Sequence, residues 1–579
     1  MKKKLISALL AGMMAVSAFA LTGCDGTGKL DETKTHLFVG VYDGGFGADS
    51  WERMEKDFEA LYATTSFETG KEGVDVHITP KKAEFLGDNL KNTIANNKED
   101  LYFTNANLRD FITSDLVVDI TDVVTQTTNE KFNEVYADNQ TIEAKMIEDI
   151  RDYDRGYDPA YYTSNGQTYK YYGVPVFVST ASVIYDVDLW EDRQLYFTRE
   201  YELEGAGADG ADVVWTSGLE GDAEIGYGQD GIKGTLDDGL PRTWEDYKLM
   251  LDQVYGVANC MPLTFSGANP MYSREFFVQL YANYEGYDEF RLNMTFDGTY
   301  KGTIQDPNEV VTVTPQTGYL VFKQRGRLKC AEFGQYIAQK KYFASVVTSS
   351  ETHTGTQDNF LYSAIKANNK TKRIAMLIEG NWWEHEAQDT VNTIANKYPQ
   401  YANRRFGVMT FPWMDEYANK TSKTMVSIQP DSYAFIAKRT KYVDLAKKFL
   451  AFTTQDYYLS YYTSVSGAPR PFKYSIKDEH YENMSYYKKS VWEMYKGVID
   501  GSTKFVNARS NNPISRYSKE YVYTDWGFQA KIDDMSMNEP ISGFHYNGSR
   551  ITPADYAMAP YNKYAAVWKS NYYDAYFAS

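Results

Sequence analysis

From residue 36 onward the hydrophobic positions change period again and again. HLFVGVY (36–42) is a short apolar run with strand character, broken by Gly44-Gly45-Phe46-Gly47. DSWERMEKDFEALYATT (49–65) carries Trp51, Met54, Phe58 and Leu61 at helical spacing. VDVHITP (74–80) alternates as a strand does, FLGDNLKNTIAN (85–96) reads as helix, and DLYFTNA (100–106) is a third strand-like run. Strand–helix–strand–helix–strand predicts βαβ units and a mostly parallel sheet. Ligands of such sheets sit beyond the carboxyl ends of the strands. Those ends are Tyr42-Asp43-Gly44-Gly45 and Thr104-Asn105-Ala106-Asn107.

A second group of elements follows. YKYYGVPVFVSTASVIYDVDLWED (169–192) is strand-like, and 204–240 is rich in Gly and Asp. PRTWEDYKLMLDQVYGVA (241–258) opens a helix, with Thr243 as cap and Asp246 three residues on, a capping-box arrangement. IAMLIEG (374–380), RFGVMTFP (405–412) and SYAFIAKRT (432–440) read as strands, and VDLAKKFLAFTTQ (443–455) as helix. The run at 374 ends in Glu379, Gly380 and Asn381, then presents two tryptophans side by side. Neighbours on a strand face opposite sides, so Trp382 and Trp383 are not expected to fill one core. One of them is expected to face elsewhere.

At 579 residues the chain has core enough for two or more domains or lobes. Lys+Arg is 60 against 78 Asp+Glu, a formal charge of −18. That balance argues against nucleic acid, whose phosphates need a basic face. Aromatic residues make up 16% of the chain, with 50 Tyr, 30 Phe and 10 Trp. Most must serve core and surface, but flat rings with polar tips also suit neutral sugars, whose hydroxyls take hydrogen bonds. The N-terminus, MKKKLISALLAGMMAVSAFALTGC, has three lysines, an apolar run short for a spanning helix, and small residues before Cys24. It reads as a secretory signal peptide over 1–23, and 24–35 as a flexible tether. Cys260 and Cys330 remain, and an exported protein leaves both a disulfide and two free thiols open.

The blocks YYGVPVFVSTASVIYDVDLW, DDGLPRTWEDY, KRIAMLIEGNWWEHEA, RFGVMTFP, SYAFIAKRTKYVDLAKKFLAF and VSGAPRPF come in an order that resembles a known family. It is the extracellular solute-binding proteins of bacterial ABC transporters, in their carbohydrate-binding, maltose-binding-protein-like branch. Leu21-Thr22-Gly23-Cys24 resembles the bacterial lipoprotein box, which implies that Cys24 is acylated. The resemblance implies an α/β, two-lobed periplasmic-binding-protein-like (type II) fold with a hinge and an interlobe cleft that closes on its ligand. It implies a first lobe of 36–176 plus about 432–466, and a second of about 177–431 plus 467–579. The crossings are expected near 176–180, 425–432 and 466. In such relatives a tryptophan at the end of the strand equivalent to IAMLIEG stacks on a sugar ring. Trp382 matches that place, with Trp383 beside it, and Trp382 is the one expected to face the sugar.

By the same resemblance Asp43 offers an acid to sugar hydroxyls, and the Asn105 and Asn107 amides both donate and accept. Gly44 and Gly45 either turn the chain or admit ligand to the backbone. Glu379 either binds a hydroxyl or caps a helix, and Arg470 either contacts ligand or pairs with an acid. The implied partners are an oligosaccharide, the permease subunits of an ABC transporter, and a membrane reached through the lipid anchor. A monomer on the extracytoplasmic face of a bacterial cell membrane is expected.

GDAEIGYGQDGIKGTLDDG (221–239) clusters Asp222, Asp230, Asp237 and Asp238 among glycines, so it is a candidate structural calcium loop or a solvated acidic loop. Its spacing is not that of an EF-hand. Gly205-Ala206-Gly207-Ala208-Asp209-Gly210 fits GxGxxG but follows no convincing strand, so no dinucleotide is inferred. No catalytic cofactor is expected and no enzyme motif appears. The alternatives to a sugar-binding protein are a lipid-anchored glycoside hydrolase, which needs two carboxylates across a cleft, and a binder of peptides or another solute.

Overall fold

The computed structural model describes residues 30–577, apart from 128–131, 134–137, 205–223, 257, 270, 349–350, 367–371, 410, 412–422, 429–430, 518–543 and 547–548. Cys24, Asp222 and the 205–210 glycine run lie outside the described residues. The chain first lays down β1 (Thr35–Tyr42), β2 (Val74–Lys81), β3 (Leu101–Phe103) and β4 (Val174–Pro175). Then come β5 (Ala181–Asp186), β6 (Met261–Thr264) and a hairpin of β7 (Gly298–Lys301) with β8 (Val310–Val313). β9 (Ile374–Gly380), β10 (Phe406–Met409), β11 (Lys423–Ser427), β12 (Tyr433–Ile436) and β13 (Thr503–Asn507) follow.

The first lobe is built on a sheet of order β2-β1-β3-β12-β4. β1 runs parallel to β2 and β3. Alternation does the sorting: Leu37, Val39 and Val41 turn one face of β1 inward, joined by Val74 and Val76. They pack on the Asp49–Leu61 helix through Trp51, Met54 and Phe58, and on the Val443–Thr453 helix through Phe449 and Phe452. β12 is antiparallel to both β3 and β4. The parallel sheet expected from the βαβ pattern therefore covers three strands only. The reason is connectivity: β12 re-enters from the other lobe at the carboxyl end of β3, where Thr104 N–H donates to Tyr433 O (2.9 Å).

The second lobe carries a sheet of order β10-β5-β9-β6, in which β5 is antiparallel to β9 and β10 while β6 and β9 are parallel. The helix Trp244–Gly256 starts as its sequence predicts: Thr243 Oγ1 accepts from Asp246 N–H (3.1 Å) and Asp246 returns a bond to Thr243 N–H (3.2 Å). Asp186, at the end of β5, is buried. Burial opposes its charge, but Arg404 and Arg373 outweigh that and hold the carboxyl below its usual range. Near the C-terminus the Pro553–Trp568 helix docks here, with Tyr564 stacked on Phe322 and the Trp568 indole donating to Pro315 O (2.9 Å). Cys260 and Cys330 are both buried free thiols, each directed at a backbone carbonyl.

Between the lobes the chain runs through 176–180, from β4 to β5. Val176 N–H donates to Ser432 O (3.1 Å) and Val178 N–H to Pro469 O (2.9 Å). Asn381 grips the next turn: its Oδ1 accepts from Thr180 N–H (3.2 Å) and its Nδ2 donates to Val178 O (2.9 Å). The boundary expected at 466 is displaced. Phe472, Tyr474 and Met484 still pack into the first lobe's core, and Met146 bridges to Phe472. The shift to the second lobe falls along the Tyr486–Asp500 helix, where Trp492 and Tyr495 face the first core and Tyr487 and Val491 the second.

Arg470 explains the displacement. It is fully buried, and its guanidinium donates to Val176 O (2.9 Å), Thr453 O (2.8 Å) and Pro175 O (3.3 Å). That pins 467–474 under the first lobe and leaves Arg470 no surface for a solute; among the described residues no acid pairs with it. Arg470→Ala strands three buried carbonyls, and equilibrium urea unfolding should show a loss of about 3 kcal/mol or more.

Candidate functional site

The site is assembled where the carboxyl ends of β1 and β3 meet the end of β9. After Tyr42 the chain turns through Asp43 and the glycine run and is pressed against the second lobe. Gly45 has φ of 67°, and a Cβ there would lie 2.8 Å from Trp382 Cβ. Gly47 has φ of 70° and faces the His385 imidazole. These two positions demand glycine on both conformational and steric grounds. Phe46, between them, sits 4.9 Å from Phe177 and edge-on to Trp382 at 6.3 Å, centroid to centroid.

The two tryptophans divide. Trp383 is 0% exposed and packs among Phe360, Phe406 and Tyr487 in the second lobe's core. It is therefore removed from the ligand-facing candidates: a ring enclosed on all sides has no face to offer. Trp382 is 6% exposed and lies between the lobes, against Phe46 of one and Tyr272 of the other (6.2 Å). Tyr272 in turn stacks on His353 (5.7 Å). Strand alternation does not produce this split directly, because Trp382 already caps the short Trp383–Glu386 helix. The turn after β9 does.

The polar candidates fare unevenly. Asp43 is half-buried at the mouth, its N–H donating to Lys81 O (3.2 Å). Asn105 is also half-buried, and its side chain meets the Tyr42 hydroxyl. Asn107 is committed to the protein: Nδ2 donates to Asp431 (2.6 Å) and Oδ1 accepts from Arg109 N–H (2.8 Å). Gly44 is buried beneath the Tyr42 ring. Glu379 is buried behind Trp382, where Gln357 Nε2 donates to one oxygen (3.0 Å) and Gly380 N–H to the other (2.7 Å). Loss of water pushes its carboxyl up to about 8, with Glu386 adding to the effect. Glu386 itself forms an ion pair across the gap with Lys82 (3.5 Å).

Sequence reading missed Tyr42, Phe46, Phe177, Tyr272 and His353. Tyr42 and Phe46 flank a strand end already singled out, so their place was readable. Tyr272 and His353 carry no local signal; tertiary packing alone brings them to Trp382.

The acidic loop uses its carboxylates internally. Asp237 accepts from Gln229 N–H (2.8 Å) and Asp230 N–H (3.1 Å), Asp238 from Gly234 N–H (2.8 Å), and Asp230 from Ile232 N–H (2.7 Å). The loop closes one side of a cavity of about 430 Å³ lined also by Thr180, Gln279, Asn283 and Lys423. Burial pushes the Lys423 ammonium down to about 8 against the pull of Asp237 and Asp230.

No family model matches the chain, and no curated protein matches it in sequence. Solved structures do. The apo-form of RafE from Streptococcus pneumoniae superposes with a TM-score of 0.50 over 92% of this chain and 99% of RafE, at 13% identity. The fold is that of a solute-binding protein. RafE in complex with raffinose gives 0.49 at the same coverage and identity. The solute receptor AcbH, described as preferring β-D-galactopyranose, gives 0.48 over 93% of this chain and 99% of AcbH, at 13% identity.

The buried carboxyl of Glu379 makes a stability prediction. Its folded pKa of about 8 lies above the usual carboxylate value of 4.5, so the folded state holds a proton that the unfolded state releases. Its contribution is complete below pH 4.5 and is lost as pH rises toward 8. Glu379→Gln should therefore gain stability relative to the parent between pH 5 and 8, by an amount on the order of a few kcal/mol. Paired thermal melts across that range would read it.

Proposed function

We propose that the chain is an extracytoplasmic receptor that captures a neutral oligosaccharide in the interlobe cleft and passes it to an ABC transporter permease. One observation carries this reading. Tyr42, Phe46, Phe177, Tyr272 and Trp382 converge where the two lobes meet, with Asp43 and Asn105 at the rim. Rings present the flat apolar faces that sugar C–H groups pack on, and hydroxyl, carboxylate and amide groups satisfy sugar hydroxyls. The fold supports the reading, since RafE, its likeness in shape, is described in complex with raffinose. In the arrangement seen, Trp382 is almost wholly covered by the glycine loop, so solute entry requires the lobes to part.

Anchoring belongs to the same proposal. The leader ending in Leu21-Thr22-Gly23-Cys24 supports acylation at Cys24 and release of a monomeric receptor body on a tether. No helix of the described residues is long and apolar enough to cross a membrane. A structural calcium in the 221–239 loop also stays a proposal; its test is a melting temperature that falls on adding chelator and recovers with calcium.

Hydrolysis is a second reading with one observation of its own. Glu379 and Glu386 both accept from the Gln357 amide, at 3.0 and 3.3 Å, which puts two carboxyl groups close together, one of them held up to about 8. A hydrolase needs such a pair of unequal acids flanking the substrate. Chromatography of sugars incubated with the protein separates the readings: intact ligand means a receptor, cleaved ligand an enzyme.

Titration calorimetry of the full-length chain with a panel of neutral oligosaccharides tests the primary reading. Trp382→Ala should weaken the best ligand at least tenfold, equivalent to about 1.4 kcal/mol, while circular dichroism stays unchanged. Equal affinity in the variant would place the solute elsewhere, with the 430 Å³ cavity beside Lys423 the next site to examine.

A further inference from the structure

At the opposite end of β1 from the cleft, parallel pairing sets His36 beside Asp75 and Phe38 beside His77. Leu37, Val74 and Val76 point into the core, so His36, Asp75 and His77 share the other face of the sheet. Three donor atoms converge there. His36 Nδ1 lies 3.0 Å from His77 Nε2, 3.4 Å from Asp75 Oδ2, and the last two are 3.5 Å apart. Ligands held about 2.0–2.1 Å from a tetrahedral zinc ion are themselves about 3.3–3.4 Å apart. The triangle has nearly those edges already.

The rings are also held in place. His77 stacks on Phe38 at 4.8 Å, and its centroid is 5.2 Å from that of His36. Without an ion, the two facing nitrogens can share one proton and no more. Glu59 accepts from Val76 N–H (2.7 Å), next to Asp75 in the chain, so a second carboxyl adds negative charge near the first. Glu55 stands beside Glu59. Lys98 sits over the Phe38 ring (5.0 Å) and acts on His77, while Lys34 lies near Glu59. The side chains of Asp75 and His77 are 27% exposed and that of His36 is 11% exposed, leaving one open side for entry and for a water in the fourth position.

We propose that His36, Asp75 and His77 bind a divalent transition-metal ion, zinc in type. Two imidazoles and a single carboxylate select against calcium and magnesium, which take mainly oxygen ligands. The ion ties the edge strand β2 to β1, and so stabilises the first lobe without touching the solute cleft.

The test is titration of zinc chloride into the metal-stripped full-length chain at pH 7.5, with calcium chloride alongside. One equivalent of zinc should bind, calcium should not compete, and cobalt in its place should show the visible bands of a tetrahedral ion. His77→Ala should weaken zinc at least tenfold, and His353→Ala should not. His36 is buried and its loss risks the fold, so His77→Ala and Asp75→Asn, at half-exposed positions, decide the matter. Equal zinc affinity in both variants overturns the site. Absence of any zinc binding overturns it as well, and leaves the triangle as a proton-sharing cluster only.

Discussion

Backbone that leaves one sheet for another must satisfy its polar groups without a ladder, and this molecule meets that constraint with two side chains. Arg470 collects the carbonyls of Pro175, Val176 and Thr453 on one guanidinium. Asn381 binds both the N–H of Thr180 and the carbonyl of Val178. One sits below the crossing in the first lobe; the other sits above it, at the end of β9. Asn381 is also the residue before Trp382. The group that fixes the hinge backbone is thus covalently joined to the ring at the lobe junction, so that ring's position is set by the hinge.

That coupling bears on what opening costs. A tryptophan nearly sealed between lobes has on the order of 200 Å² of ring surface to expose, worth several kcal/mol at about 25 cal/mol per Å². In the proposed receptor, the same surface is what a sugar would cover. A solute that replaces Phe46 on the Trp382 ring restores the apolar cover that opening strips away, and adds hydrogen bonds. Gly45 and Gly47 matter for the same reason: side chains there would wedge the loop off Trp382 and His385 and bias the lobes apart.

Much of this was legible in the chain because it rests on local rules. A short apolar run marked β1 and alternation marked β2, helical spacing marked Trp51, Met54 and Phe58, and Thr243 with Asp246 marked a helix start. The doubled tryptophan signalled two different surroundings, and its two rings do go separate ways. What stayed hidden depends on packing between distant residues. Arg470 looks like a surface arginine near a proline, and only its burial against residues about 300 positions earlier shows a structural pin. The third crossing was misplaced for that reason. Asn107 was expected at the ligand because of its chemistry, but its amide is taken by Asp431, 324 positions away. The loop carboxylates Asp230, Asp237 and Asp238 each accept from backbone N–H groups of their own loop, a use that the clustering of acids among glycines does not reveal.

His36 and His77 belong with these hidden cases, and they show why spacing motifs find only part of a protein's chemistry. The residues are 41 positions apart, too far for a helical pair and without a turn signal between them. Parallel pairing of β1 with β2 brings them together, and a one-residue slip in register would send one imidazole into the core. The register is set on the inner face, by Leu37, Val39, Val74 and Val76 packing on the Asp49–Leu61 helix. A cluster on the outer face is therefore held by hydrophobic packing on the inner one. The same strand delivers Tyr42 to the cleft at its other end, so one packing arrangement positions two chemically unrelated groups at opposite ends of an eight-residue strand.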